Sequence, residues 1–358
     1  MPPVQERRYY LDTIFNGSEP LPIREIRNMQ SRNSFVAVGF IALALALVAT
    51  GTQAQEWQPD RPIRLVVPFG PGGATDIVAR VLSTKLATSL GQPIVVDNKA
   101  GAGGIVGTMN VRDAKPDGYT LLVSTIGFGA NQALYRDREK KLPFDPIKDF
   151  TLITQIVNVP TVLVVPPSLG VKSANELMDM AKAKPGMLTF GSAGFGTINH
   201  LAGELMKATT GVKTTHVPYR SGGASVGAVV TGEISMLFAT TPSAISFIKS
   251  GQLIPLATSG SGKVALVPDL PPMNATIPGF DVVEWQGIVG PAGMPKNVVD
   301  RLHKEITAAL KDPAIVKRLG ELGAEPVGST PQQFDAFVKN EVQKWHGVAD
   351  KTGMRAEE

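Results

Sequence analysis

IRLVVPFGPGGATDIVARVLSTKLATSL, residues 63–90, decides the fold. Residues 63–68 are a short, almost wholly apolar run closed by Pro68 and Gly70, which reads as a strand buried on both faces. From Thr75 to Leu90 the apolar residues Ile77, Val78, Val81, Leu82, Leu86 and Leu90 recur at three- and four-residue spacing, and Gly91 stops the run. That period predicts a helix. A strand followed at once by a helix implies a crossover to a parallel neighbour, because a parallel strand is reached only through a long connection.

The same grammar continues outward. Strand-like IVVD (94–97) precedes a helix over 104–111, and TLLVS (120–124) follows. VLVV (162–165) leads to a helix over 174–183, LTF (188–190) to one over 198–209, and TTHV (214–217) to one over 223–230. SMLF (235–238) leads to a helix over 243–248, and IPLAT (254–258) closes the series. The expected class is α/β. Two stretches break the alternation, 149–166 (DFTLITQIVNVPTVLVVP) and 280–290 (FDVVEWQGIVG). Both are β-rich with no helical period between, as expected of strands that cross from one lobe to another. Two crossings make one lobe discontinuous. The expected division is 55–157 with 277–358 as the first lobe and 158–276 as the second. The tail, 297–310, 313–322 and 331–348, reads as helices returning to cover the first lobe, with Pro313 and Pro331 where helix starts favour proline.

The chain has 358 residues, of which 43% are hydrophobic and 18% charged, values that exclude a disordered tail and a fibre. Lys and Arg exceed Asp and Glu by only 35 − 31 = 4, without a basic block, so no nucleic-acid partner is expected. With no cysteine there is no disulfide, thiolate metal site or cysteine nucleophile. Residues 35–49 form the longest apolar run, behind Arg24, Arg27 and Arg32, too short to span a bilayer. They read as a signal-peptide core, with cleavage after Ala54 and Met29 as an alternative start. An uncleaved anchor is the competing reading. Residues 1–54 are therefore excluded from the fold.

In open α/β sheets ligands bind beyond the carboxyl ends of strands, where loops enter helices. The loop Phe69-Gly70-Pro71-Gly72-Gly73-Ala74-Thr75-Asp76 is bare enough to turn several amides toward an anion at a helix N-terminus. A tight turn without a ligand is the alternative. Asp76 in that first turn is expected to face sideways and pin the loop. Gly191-Ser192-Ala193-Gly194-Phe195-Gly196-Thr197 repeats the device, with Ser192 and Thr197 adding hydroxyls and Thr197 in the N-cap position. Ser124-Thr125, Tyr219-Arg220-Ser221-Gly222-Gly223 and Thr240-Thr241-Pro242-Ser243 occupy the same slot after other strands. Few cations lie in these loops, which suits a small carboxylate better than a nucleotide.

Other motifs are weak. Gly101–Gly107 lacks the last glycine of a dinucleotide fingerprint, with Val106 in its place. Ser246–Lys249 and Lys351–Gly353 echo penicillin-recognising enzymes without their third element. No G-x-S-x-G elbow occurs, and His200, His216, His303 and His346 form no metal pair. His200 could serve Ser192 as a nucleophile's base, which keeps a secreted hydrolase open as an alternative.

VPFGPGGATDIVAR (67–80), VVDNKAGAGGIVG (95–107), KPDGYTLL (115–122), GSAGFGTINHLAGELMK (191–207), HVPYRSGG (216–223) and PGFDVVEWQGIVGPAGMP (278–295) resemble the Bug-type substrate-binding proteins of tripartite tricarboxylate transporters. The resemblance covers essentially the whole chain after residue 54. It implies a type II-like periplasmic binding protein: two lobes, each a mostly parallel sheet flanked by helices, joined by two crossing strands. It further implies a monomer without cofactor or metal, exported to the periplasm, that closes on a small organic carboxylate and presents it to the small and large permease subunits. A sensor-kinase input domain is the alternative use of the same fold. The ligand-binding positions so implied are Phe69, Pro71, Gly72, Gly73, Ala74, Thr75, Asp76, Thr125, Ser192, Ala193, Gly194, Gly196, Thr197, His200, Thr240 and Ser243. The sequence departs from the family pattern at Tyr219–Ala224, Ile234-Ser235 and LATSGSGK (256–263), which leaves the substrate open.

Overall fold

In a computed structural model, which describes residues 56–355 apart from Arg138 and Lys140, the opening stretch forms strand β1 (Ile63–Val67) and helix α1 (Ala74–Leu90). The apolar leader at 35–49 lies outside the described residues. β2 (Ile94–Asn98), α2 (Ile105–Arg112) and β3 (Thr120–Thr125) follow. β1 pairs in parallel with β2 and β3, as the alternation requires. A helix that the sequence reading missed, α3 (Ile126–Leu134), follows β3 directly. Its Gly127 and Gly129 depress helix propensity, but burial of Phe128, Ala130, Ala133 and Leu134 overrides that.

The first crossing is β4 (Phe150–Val159) and β5 (Thr161–Val165), separated only by Pro160. Then come α4 (Ala174–Ala183), β6 (Thr189–Ser192), α5 (Ile198–Thr210), β7 (Thr215–Pro218), α6 (Gly222–Thr231), β8 (Leu237–Thr240), α7 (Thr241–Lys249) and β9 (Ile254–Thr258). The return crossing is β10 (Glu284–Pro291), followed by α8 (Lys296–Lys311), α9 (Pro313–Glu321), the short β11 (Glu325–Pro326) and α10 (Pro331–Thr352).

The strands form a six-stranded sheet in the order β11-β4-β10-β3-β1-β2, and a second set, β8-β5-β9 and β6-β7. A parallel bridge from Phe190 to Met236 joins the second set into one layer. β1, β2 and β3 run parallel, as do β6 and β7, but the arriving strands β10 and β5 and the short β11 run the other way. β10 is antiparallel to β3 and β4, and β5 is antiparallel to β8 and β9. The reason is geometric. Each lobe's own strands point their carboxyl ends toward the other lobe, so a strand arriving from there must run the opposite way.

Both sheets are covered on both faces. Leu65 and Val67 meet Val78, Leu82 and Leu86 of α1 and Leu302 and Ile306 of α8, whereas Val66 and Leu122 face the cluster of Ala130, Phe334 and Trp345 from α3 and α10. In the second sheet Leu163 and Val165 pack with Leu177, Leu201 and Phe190, and Val162 and Val164 with Val226, Val229 and Ala244. Full burial of such a side chain contributes roughly 1.5–3 kcal/mol. Among the described residues no helix is long and apolar enough to cross a membrane.

Candidate functional site

Helices α1, α3, α5, α6 and α7 all begin where a strand ends at the face between the two sheets. A cavity of about 30 Å³ there is lined by Phe69, Gly73, Ala74 and Thr75 of the β1–α1 junction and by Thr125 before α3. Ala193, Thr197, Ile198 and Asn199 come from the β6–α5 junction, Gly222 from α6, Thr240 from the end of β8, and Glu284 from β10. A larger open groove of about 990 Å³ shares Phe69 and Ala193 with it and carries Arg220 on its wall.

No N-cap side chain bonds the start of α1, α3, α5 or α7, although the Glu284 carboxyl accepts the first amide of α3, that of Ile126. Away from the cavity, α4, α9 and α10 are capped by Ser173, Asp312 and Thr330 while α2 and α8 are not, and at the cavity α6 is capped by Ser221. A helix start leaves its first amides without intrahelical partners, so the uncapped turns of α1 and α5 present N–H groups and positive dipole ends to one small space. Thr197 does occupy the N-cap position, but its Oγ1 donates to Gly194 O at 2.7 Å and caps nothing. Thr240 Oγ1 lies 3.0 Å from Ser243 Oγ.

The loops themselves are rigidly tied. The Asp76 carboxylate accepts from Gly72 N at 3.1 Å, Arg80 Nε at 3.0 Å and Asn98 Nδ2 at 3.0 Å, and that same Asn98 nitrogen donates to Phe69 O at 2.9 Å. Burial pushes this carboxyl up, but the bonds from Arg80, Gly72 and Asn98 outweigh it and hold it below the usual carboxylate range. Asp76 thus faces sideways and pins the loop. Pro71 and Gly72 are exposed and outside the cavity lining.

In the second loop Gly194 N donates to Ser192 Oγ at 2.9 Å, and Gly196 N donates to His200 Nδ1 at 3.2 Å. Ser192 Oγ also lies 2.6 Å from His216 Nε2. The pairing of Ser192 with His200 expected for a hydrolase is therefore replaced: His216 meets the serine, His200 serves the loop, and Ser192 is fully buried. Desolvation, then His216 and Lys207, lower His200 to about 3, and burial with Lys207 lowers His216 to about 4, so both imidazoles are neutral. The amides of Gly72, Gly194 and Gly196, read from the sequence as ligand donors, are thus occupied internally. The donors left at the cavity are those of the helix first turns.

The two sheets' loops meet across the cavity. Gly70 N donates to Arg220 O at 3.0 Å. A Cβ on Gly127 would lie 2.5 Å from Gly196 O, and one on Gly103, at φ +62°, 1.9 Å from Phe195 O. Only glycine permits this approach.

Ile198, Asn199 and Glu284 went unassigned in the sequence. Asn199 Nδ2 holds Phe238 O at 2.5 Å. Glu284 had a visible signal, a carboxylate inside a run of buried strand residues; it is 3% exposed. Among the described residues no three His, Asp or Glu side chains gather as a metal site.

The family model for the tripartite tricarboxylate transporter family receptor matches residues 78–354. The chain belongs to that receptor family. The receptor is 35% identical over 321 residues to protein BugT of Bordetella pertussis, covering 89% of this chain and 98% of BugT. Three solved structures are similar to it throughout the described region. The periplasmic binding protein BugD superposes with a TM-score of 0.79 at 33% identity, covering 83% of this chain and 99% of BugD. Rpa4515 of R. palustris with adipate gives 0.78 at 33%, covering 82% and 98%. MatC of Rhodopseudomonas palustris with bound malate gives 0.77 at 32%, covering 81% and 99%. The receptor thus has the two-lobed fold of a periplasmic solute-binding protein.

Proposed function

We propose that the receptor closes its two lobes over a small aliphatic dicarboxylate and hands it to a two-subunit membrane permease. The observation that carries this reading is the set of uncapped helix starts directed at one buried cavity without a lysine or arginine in its lining. The lobes comprise residues 56–157 with 277–355, and residues 158–276, with hinges at Pro160 and at the segment before Glu284. The positions that hold the ligand are Phe69, Gly73, Ala74, Thr75, Thr125, Ala193, Thr197, Ile198, Asn199, Gly222 and Thr240. Asp76, Ser192, His200 and Ser243 support them from behind.

Relatives similar to this chain bind adipate and malate, and amide donors suit such anions. Each bond to a carboxylate contributes roughly 1.5–3 kcal/mol. Several of them reach the about −8 kcal/mol of micromolar affinity after ordering costs. Closure follows because contacts from both lobes exist together only in the closed state. A cleaved leader within residues 1–54 supplies export.

A thermal-shift screen against aliphatic and aromatic carboxylates tests this, since selective binding raises the melting temperature by mass action. Adipate or malate is expected to stabilise the protein, and its radius of gyration in solution scattering to fall on binding. A flat screen, or no contraction at saturation, counts against the proposal.

A further inference from the structure

Glu284 is the one ionisable side chain among the described residues lining the cavity. It belongs to β10, whose register sets Gln286 opposite Thr125, the last residue of β3. Two residues beyond, Glu284 therefore stands at the start of α3, where its carboxyl group accepts the amide of Ile126. Its Oε2 is buried and has no hydrogen-bond partner. An unpartnered oxygen in so enclosed a place costs free energy unless something fills it.

Its surroundings disfavour charge. Burial raises its pKa well above the usual carboxylate value, and Glu341 of α10 adds to the rise against the single opposing bond from Ile126. Among the described residues, Glu341 is the ionisable group set against it from the elements packed on this end of β10. Glu341 is itself held by Trp285 Nε1 at 3.1 Å and lies 3.7 Å from Lys344 Nζ. Among the described residues no Lys or Arg is paired with Glu284. A second carboxylate entering the same cavity strengthens the preference for a proton, because like charges in a dry site disfavour joint ionisation.

We propose that Glu284 recognises the bound anion as a neutral acid, its O–H donating to an oxygen of the ligand carboxylate beside the helix amides. This rests on the carboxylate reading of the cavity and sharpens it: the receptor takes its ligand as an acid–carboxylate pair, with one proton held by the protein. Affinity is then highest at acid and neutral pH, and falls as the pH rises far enough to ionise Glu284. An amine in that place would require an ionised Glu284 and would show the opposite trend.

The test uses the full chain with adipate and malate. Infrared difference spectra of wild type against Glu284→Gln at neutral pH are expected to show a protonated-carboxyl band lost in the variant; its absence in wild type overturns the proposal. By calorimetry, Glu284→Gln, which keeps a donor, is expected to bind within a few-fold of wild type and with no pH trend. Glu284→Ala is expected to lose roughly ten- to a hundredfold, the worth of a bond to a charged group. Wild-type affinity in Glu284→Ala, or an unchanged pH trend in Glu284→Gln, removes the assignment of Glu284 alone. If neither anion binds wild type at any pH, the carboxylate reading falls and this assignment with it. Circular dichroism and melting curves separate loss of binding from loss of fold.

Discussion

The β1–α1 and β6–α5 loops do the same work with opposite chemistry. Each is glycine-rich, follows a buried strand, and leaves the next helix without a side-chain cap at the cavity. The first is fixed by a charged pin, the Asp76 carboxylate gripped by Arg80, Asn98 and the Gly72 amide. The second is fixed by neutral groups, Ser192 with His216 and the Gly196 amide on His200. In both, part of the loop backbone is occupied in holding its own shape. The comparison teaches that the Gly72, Gly194 and Gly196 amides set the loop geometry, which leaves the first-turn amides of α1 and α5 for the ligand proposed above.

The largest expected effect comes from putting a charge at the shared feature. Gly73 is the N-cap of α1, at φ −82° and ψ 165°, a conformation any residue adopts. Its Cβ direction leads toward Gly222 N at 3.4 Å. Gly73→Asp is therefore expected to fold normally yet abolish binding of adipate and malate by placing a carboxylate at the helix start. Calorimetry that finds wild-type affinity for whichever anion binds wild type would show that these amides are not the cradle.

The two pins also separate on a pH axis. His200 is lowered by burial, so the folded protein binds fewer protons than the unfolded chain below the ordinary imidazole value. Its contribution is therefore present above about pH 6.5 and is lost as the pH falls toward about 3. By pH 5 the loss is on the order of 2 kcal/mol from this residue, with His216 adding in the same direction. Asp76 is lowered as a carboxyl, so its contribution persists through that window and is lost only below the ordinary Asp range. Melting temperatures between pH 7 and 5 should thus fall in wild type and fall less steeply in His200→Gln. Equal slopes would mean that His200 is not buried as a neutral ring.

Closure gives a third contrast, because it brings the two loops' neighbours together. Gly127 lies inside α3, where alanine is the better helix former, so Gly127→Ala leaves the isolated lobe unharmed. Its methyl group would meet Gly196 O at 2.5 Å in the arrangement seen here. A loss of about tenfold in affinity is expected, equivalent to about 1.4 kcal/mol. Solution scattering should show a larger ligand-bound radius than wild type; an identical contraction would mean the lobes relax around the methyl group.

Much of the fold is legible in the sequence. The run from Ile63 to Leu90 specifies strand, bare loop and helix because burial on two faces and helical spacing are local properties of the chain. The two crossings were legible for the same reason, as β-rich stretches that lack a helical period. Their antiparallel placement was not, since the direction of β5 and β10 depends on which sheet each enters. The sequence points to the loops as the candidate site, but the division of labour inside them is hidden in it. Whether Gly194 N meets a ligand or Ser192 Oγ depends on a turn conformation, and the partnership of Ser192 with His216 joins residues from different strands. Glu284 reaches the cavity only because β10 returns between β3 and β4.

The smallest effect expected isolates the uncapped start of α5 from its loop. Thr197 Oγ1 donates to Gly194 O and stands at the N-cap without capping, whereas Ser221 caps α6 through Ala224 N at 3.2 Å. Thr197→Ala removes a bond within the loop, and Ser221→Ala removes a bond at a helix start, so each should cost about 1 kcal/mol of stability. Their effects on binding should differ. Without the Thr197 hydroxyl the Gly194 carbonyl keeps only the longer bonds from Ser192 Oγ at 3.2 Å and Thr197 N at 3.4 Å, and the loop that positions Ala193 loosens, so affinity should fall a few-fold. Ser221→Ala frees an amide near Gly222 at the cavity edge, so affinity should hold or rise slightly. Urea unfolding paired with calorimetry on both variants checks this, and parallel losses of affinity would show that an uncapped turn is a matter of stability alone.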